Sequence, residues 1–384
     1  MTEERLIFQR IQDFIRANPD SNETLEDCFQ SIRNLAEVEG VKVTRCETEW
    51  LRNRIVRRMK AEKVGTEMKR LNELLRATYL HLAQDDLHSY LIFLEWDRKP
   101  HERFYQPRMR IMRRFVEQIQ KLIDGELEEL FLSCPPRIGK TTLLMFLETF
   151  LIGRDSERSN LYCAYSDTIT KAFYDGVLEV LTDPITYNWA EVFPDSKIVA
   201  TNSKDETINL DRKKRYPSLT CRSLYGTLNG ACDCDGFLIS DDLIGGIEEA
   251  LNKDRLMAAW SKVDNNMLPR AKEKARILWC GTRWSIADPA GMRMDLLLND
   301  EKFRDRKYDI INIPALNAKG ESNFNYDYGV GFSTKFYEQR MASFEHNNDM
   351  ASWLAQYQGE PIERSGCLFE PQDMKYYNGN LPEA

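Results

Sequence analysis

The sequence predicts an α/β fold: a mainly parallel sheet flanked by helices, preceded by an all-helical N-terminal region at 1–100. Three observations predict it. From about residue 100 onward, short apolar runs alternate with helical stretches, the pattern of strands joined by crossover helices. Before that point the chain carries helical periodicity alone. Three polar motifs stand directly after apolar runs, and parallel sheets place their sites at the C-terminal ends of strands.

Taken in order, Arg5 to Ala17 is amphipathic and is closed by Asn18-Pro19. A second helix is expected from Thr24 to Glu39, with Ser21 or Asn22 as its cap. Thr48 to His88 is long, charged and leucine-spaced, and its segment WLRNRIVRRMKAEKVGTEMKR (50–70) is densely basic. Such a run is by default a solvated helix face; the sharper reading is contact with DNA phosphates or a partner subunit. Glu129 to Ser133 reads as a buried strand. Lys140 to Gly153 reads as a helix, with Leu143, Leu144, Phe146, Leu147, Phe150 and Leu151 at helical spacing. A strand over Asn160–Tyr165 leads to a helix through Lys171–Leu181. Further strands are expected at 207–211, 219–224, Gly236–Ser240, Ala275–Cys280 and Tyr308–Ile313, with a helix over Glu248–Val263.

Composition narrows the class. The 384 residues carry 61 acids and 53 bases, a net charge of −8, which argues against a generic nucleic-acid coat. No run of apolar residues is long enough to span a membrane. The opening MTEERLIFQRIQDF is charged and amphipathic, unlike a secretory signal. Nine cysteines, an odd and scattered set, fit a reducing compartment better than a disulfide framework. The Cys232/Cys234 pair lacks two further ligands at zinc spacing, and the four histidines form no H-E-x-x-H pattern, so no structural metal is expected.

The stretch SCPPRIGKTTL at 133–143 fits the phosphate-loop pattern G-x-x-x-x-G-K-[ST] at every fixed position but the first, which is Cys134. Its context supports the match. The stretch joins an apolar strand to a helix start, where free backbone N–H groups and the helix dipole favour a phosphate. Pro135 and Pro136 lack N–H groups but stiffen the approach. Pro136, Arg137, Ile138, Gly139, Lys140, Thr141 and Thr142 are the expected cradle for a nucleotide triphosphate. Lys140 would reach the β- and γ-phosphates, and Thr141 would place its hydroxyl on Mg2+. An acid at the end of a neighbouring strand is then required, and GFLISDD supplies Asp241 and Asp242. Asp241 is expected to hold the metal and Asp242 to orient the attacking water. Arg137 is a candidate for stabilising transition-state charge, in its own site or in a neighbouring subunit. In GTRW, Thr282 and Arg283 end the next strand, where a polar group can sense the γ-phosphate. Gln106, before the helix that leads into the first strand, is a candidate adenine reader.

Read together and in order, these motifs resemble the ATPase half of the large terminase subunit of tailed bacteriophages. The resemblance runs through PPRIGKTT, CAYSD, YGTLNGA, LISDD, GTRW with its following DPAG, and QYQGEP with GCLF. It implies a P-loop ATPase core of the ASCE type at 101–365 and a linker at 366–384 toward an absent nuclease domain. It matches Lys140 and Thr141 to the nucleotide pair, Asp241 to the metal-binding acid, Asp242 to the catalytic carboxylate, and Thr282 and Arg283 to the coupling motif. It further implies ATP and Mg2+ as cofactors and a motor that translocates double-stranded DNA. Its expected partners are the portal protein, the small terminase subunit and further copies in a ring, a pentamer on the portal, with no membrane. The expected location is the host bacterial cytoplasm and, transiently, the procapsid portal. No nuclease activity is expected from this chain. Two alternatives stand beside this reading. A superfamily 2 helicase-like translocase needs a second domain with an arginine motif, and no Q-x-x-G-R-x-x-R follows GTRW. A nucleotide-binding scaffold would bind ATP without releasing phosphate.

Overall fold

The structure, a computed structural model, describes residues 2–17, 21–228, 230 and 232–362. The expected linker at 366–384 lies outside the described residues. Helices α1 (Glu3–Ala17), α2 (Asn22–Glu39), α3 (Arg45–Ala61) and α4 (Gly65–Leu82) come first. They close around an apolar centre of their own that includes Phe8, Ile15, Ile32, Leu51, Ile55 and Leu71. The Ser21 hydroxyl caps α2 by accepting from Thr24 N. The long run expected over Thr48–His88 breaks twice, each time at a carboxylate that competes for backbone donors. Glu62 accepts from the N–H groups of Lys63 and Val64, both at 2.8 Å, and ends α3. Asp86 accepts from Ser89 N at 2.8 Å and starts α5 (Leu87–Leu94).

Much of the basic segment is used inside this bundle. Arg52 is buried, donates to Thr78 O at 2.6 Å and lies over the Tyr79 ring at 3.9 Å. Arg58 pairs with Glu62, and Arg70 with Glu26. Arg57, Lys60 and Lys63 remain exposed. The ion pairs Lys42–Asp124, Arg45–Asp86 and Arg76–Glu191 tie the bundle to the rest of the molecule.

The remainder is one sheet between helices. Its strands are β1 (Glu129–Ser133), β2 (Asn160–Ala164), β3 (Ile198–Asn202), β4 (Thr207–Leu210), β5 (Leu219–Ser223), β6 (Phe237–Asp241), β7 (Arg276–Gly281) and β8 (Tyr308–Asn312). They lie in the order β3-β4-β5-β2-β6-β7-β1-β8. From β5 to β8 every pairing is parallel, and β4 and β3 extend the sheet antiparallel. Central parallel strands must bury both faces, and successive side chains point to opposite sides. Accordingly Leu130, Tyr162, Ile239 and Leu278 join one core, while Phe131, Leu161, Leu238 and Trp279 join the other. The first core also holds α5, α6 (Tyr105–Asp124), α7 (Lys140–Arg154) and α8 (Asp167–Thr182). The short α9 (Trp189–Val192) adds Trp189 to it. The second core takes side chains of α10 (Ile247–Ala250), α11 (Lys253–Lys262) and α12 (Pro289–Asn299). Helices α13 (Thr334–His346) and α14 (Met350–Trp353) add Tyr337 and Trp353 to the first.

Two details differ from the pattern reading. The helix expected over Glu248–Val263 is split at Asn252, whose side chain accepts from Arg255 N and begins α11 anew. The edge strand β3 was not legible. Its residues alternate only between exposed and half-buried, so no hydrophobic period marks it.

Helix α7 carries a buried acid, Glu148, with no accessible surface. One carboxylate oxygen accepts from Asn160 Nδ2 at 3.0 Å, and the other has no partner. Burial pushes this carboxyl up to about 8 from an ordinary 4.5. The folded protein therefore keeps a proton that the unfolded chain releases. The resulting stabilisation is fully present below pH 4.5 and is lost as the pH rises to about 8. Glu148→Gln is expected to raise stability at pH 8 by about 1–3 kcal/mol and to change little at pH 5, read by thermal denaturation at both pH values.

Candidate active site

Strand β1 ends at Ser133, and α7 begins at Lys140, so the phosphate-loop motif spans the turn between them. Gly139 is the N-cap of α7 at φ +98°, a left-handed backbone that favours glycine. A Cβ there would also meet the Phe104 ring at 2.5 Å. Ile138 is buried and pins the loop to the core, while Pro136 is half-buried. Arg137 is exposed, with φ +65° and no hydrogen bond or ion pair among the described residues. Lys140, Thr141 and Thr142 form the first turn of α7, whose N–H groups have no partner within the helix. Burial pushes the Cys134 thiol up to about 12, so the residue in place of the first glycine adds no negative charge.

The Lys140 ammonium is buried. It donates to Cys134 O and Pro135 O, each at 3.3 Å, and to Thr282 Oγ1 at 2.7 Å. It also stands 3.9 Å from Asp242 Oδ2. Burial pulls its pKa down, but the Asp242 charge, foremost among the opposing effects, holds it above its ordinary value. Lys140 is therefore a cation fixed at the start of α7.

The acids come from β6. Asp241 is its last residue, and Asp242 follows with φ +42°, an uncommon backbone for a non-glycine residue. Asp242 N still donates to Cys280 O at 3.1 Å, and its Oδ1 accepts from Thr282 N at 2.7 Å. Backbone strain of this kind persists only where neighbours over-determine it. Thr282 thus links both halves of the site: its hydroxyl accepts from Lys140, and its N–H donates to Asp242. The strand order explains why. Strand β7 lies between β1 and β6, so the residue that follows it, Thr282, emerges between the loop and the acids.

Asp241 Oδ2 accepts from Thr141 Oγ1 at 2.6 Å and from Tyr162 OH at 2.9 Å. Its Oδ1 is buried without a partner. Burial, followed by the adjacent Asp242 charge, pushes this carboxyl up to about 6, against the pull of Thr141, Lys140 and Tyr162. A hydroxyl, two carboxylates and an unpartnered buried carboxylate oxygen form an all-oxygen set that suits a hard divalent cation. The residues present fit Mg2+ in the neighbourhood of Thr141 and Asp241.

Two expected site residues are engaged elsewhere. Arg283 Nε donates to both carboxylate oxygens of Asp288, at 3.2 and 3.0 Å, and its Nη2 donates to Ser285 O at 3.1 Å. Asp288 is the N-cap of α12, so Arg283 reinforces a turn. Gln106 lies in the first turn of α6, and its Oε1 accepts from the Arg103 guanidinium. Phe104, two residues earlier, carries the contact to Gly139. Tyr162 was not singled out by the sequence. Its role depends on β2 lying beside β6, an adjacency that no local pattern encodes.

No protein-family model and no curated protein matches the sequence. Among solved structures, the chain is similar to a mutant of the large terminase ATPase domain of Thermus phage P74-26. That likeness has 12% identity and a TM-score of 0.39, and covers 62% of this chain and 90% of that one. It is also similar to the large terminase of bacteriophage HK97, with 12% identity and a TM-score of 0.42 over 64% of this chain. Of the HK97 chain 49% is covered, so this chain spans about half of it.

Proposed function

We propose that this chain is an ATP-hydrolysing motor subunit that drives double-stranded viral DNA into a procapsid. The observation that supports hydrolysis most directly is the closure of the loop onto the acids. Thr141 meets Asp241 at 2.6 Å, and Lys140 reaches Asp242 through Thr282. The terminase-like order of motifs supports the DNA-packaging role.

In this reading, the backbone N–H groups of the first turn of α7 and the Lys140 ammonium bind the β- and γ-phosphates. Thr141 and Asp241 would hold Mg2+, which when bound neutralises phosphate charge. Asp242, half-exposed and fixed by Thr282 N, accepts a hydrogen bond from the attacking water and aims it at the γ-phosphorus. Arg137 is free to meet phosphate charge from its own loop or from a neighbour's. A net charge of −8 gives a lone subunit little attraction for DNA. A homo-oligomeric ring on a portal, working with a small terminase subunit, would gather basic patches from several copies around one duplex. No helix among the described residues is long and apolar enough to cross a membrane. The proposed setting is the host cytoplasm, with transient docking at the procapsid portal.

The test is phosphate release from ATP by the purified chain, with and without Mg2+. Metal-dependent release, stimulated by raised protein concentration, portal and DNA, is expected. Nucleotide binding without release under all these conditions would contradict the motor and favour a scaffold.

A further inference from the structure

We infer that Tyr162 is a positioning residue for the metal-binding acid, an inference that rests on the ATPase reading above. Asp241 Oδ2 has two hydroxyl donors on different supports, one on the loop helix and one on the sheet. Thr141 belongs to the first turn of α7, and its oxygen is the one that would turn to the metal when nucleotide binds. A hydroxyl has one proton and two lone pairs, so it can face the metal and still donate to Asp241, but its position then follows the loop and the nucleotide. Tyr162 belongs to β2, at the centre of the sheet, and its hydroxyl donates to the same oxygen from outside the loop. It is the donor whose position does not depend on the loop.

The surroundings of Tyr162 suit that task. The residue is fully buried, and its ring is stacked on Phe173 of α8 with centroids 3.5 Å apart and planes 5° from parallel. Strand β2 pairs with β6 in parallel register, with Tyr162 opposite Ile239 and Ala164 opposite Asp241. The small Ala164 leaves the approach to Asp241 open to the tyrosine two residues earlier on the same face of β2. A ring clamped in this way fixes the hydroxyl, and the hydroxyl fixes Oδ2. Oδ1, buried without a partner, is the oxygen left for the metal or its water. Removing an outer partner of a metal-binding group commonly weakens metal affinity about 10–100-fold while leaving the remaining architecture in place.

The experiment measures binding of a fluorescent ATP analogue to the full chain, in EDTA and across a Mg2+ titration, for wild type and Tyr162→Phe. Wild type reports on the ATPase reading itself: tightening of nucleotide binding by Mg2+ is expected, and its absence would overturn that reading rather than this inference. The phenylalanine variant keeps the ring stack and loses the hydroxyl alone. It should bind nucleotide in EDTA as wild type does, yet require about tenfold more Mg2+ for half-maximal tightening. Phosphate release should follow the same shift and recover much of its maximum at saturating Mg2+. An unchanged Mg2+ midpoint would overturn the inference. So would loss of binding in EDTA, which would make Tyr162 a residue of general structure. As a second check, Tyr162→Phe added to Asp241→Ala, which leaves the hydroxyl no acceptor there, should bring no further change in Mg2+ dependence, since the hydroxyl acts through that carboxylate. Additive effects would place its action elsewhere.

Discussion

Lys140→Ala is expected to abolish ATP turnover and to weaken nucleotide binding by at least about 100-fold, the scale of removing one partner from a buried charge pair. Lys140 is the cation that the structure fixes at the start of α7, and Arg137 is on the exposed side of the loop. The change also leaves Thr282 Oγ1, Cys134 O and Pro135 O without their shared donor. Local destabilisation of about 1–3 kcal/mol should accompany the loss. Binding of a fluorescent nucleotide, phosphate release and a melting curve measured on one preparation separate the two effects. Wild-type turnover in the variant would remove the loop from the chemistry altogether.

Asp242→Asn should act differently: nucleotide affinity is retained, and turnover falls by about 10²–10⁴-fold, the usual contribution of a positioned general base. The asparagine carbonyl can still accept from Thr282 N, so the turn keeps its shape. What disappears is the charge that orients and polarises water, and the counter-charge 3.9 Å from Lys140. Asp241→Asn, by contrast, should weaken the metal-dependent part of binding as well. Single-turnover hydrolysis beside equilibrium binding distinguishes them. If both variants hydrolyse ATP at the wild-type rate, the acids at the end of β6 are not the catalytic pair.

The legible part of this site was the part written along single strand-to-loop junctions. Gly139, Lys140 and Thr141 stand at one such junction, Asp241 and Asp242 at a second, and Thr282 at a third. Each junction announces itself by an apolar run and the polar residues that end it. Contacts made sideways across the sheet left no such mark. Tyr162 reaches Asp241 because β2 neighbours β6, and Thr282 touches both halves because β7 is inserted between β1 and β6. Strand order is a tertiary property, fixed by how helices cover the faces. Arg283 shows the converse limit. Its place in GTRW suggested a sensor, while the acid five residues on, Asp288, determines where its guanidinium rests. The helical bundle was legible as helices, but the partners of its basic residues were not, since Glu26 and Thr78 are distant in sequence from Arg70 and Arg52.

The turn after β7 has a mechanical consequence. The Asp288 carboxylate accepts from Arg283 Nε, Trp284 N, Ser285 N and Gly291 N, with the bonds between 2.8 and 3.2 Å. One side chain thereby welds the residues after Thr282 to the leading end of α12. Such a joint has little slack. A displacement of Thr282 would therefore pass along the chain instead of being absorbed as in a slack loop. It would tilt α12, a helix 11 residues long. By the geometry of any lever, the far end of that helix at Asn299 would then travel further than the threonine itself.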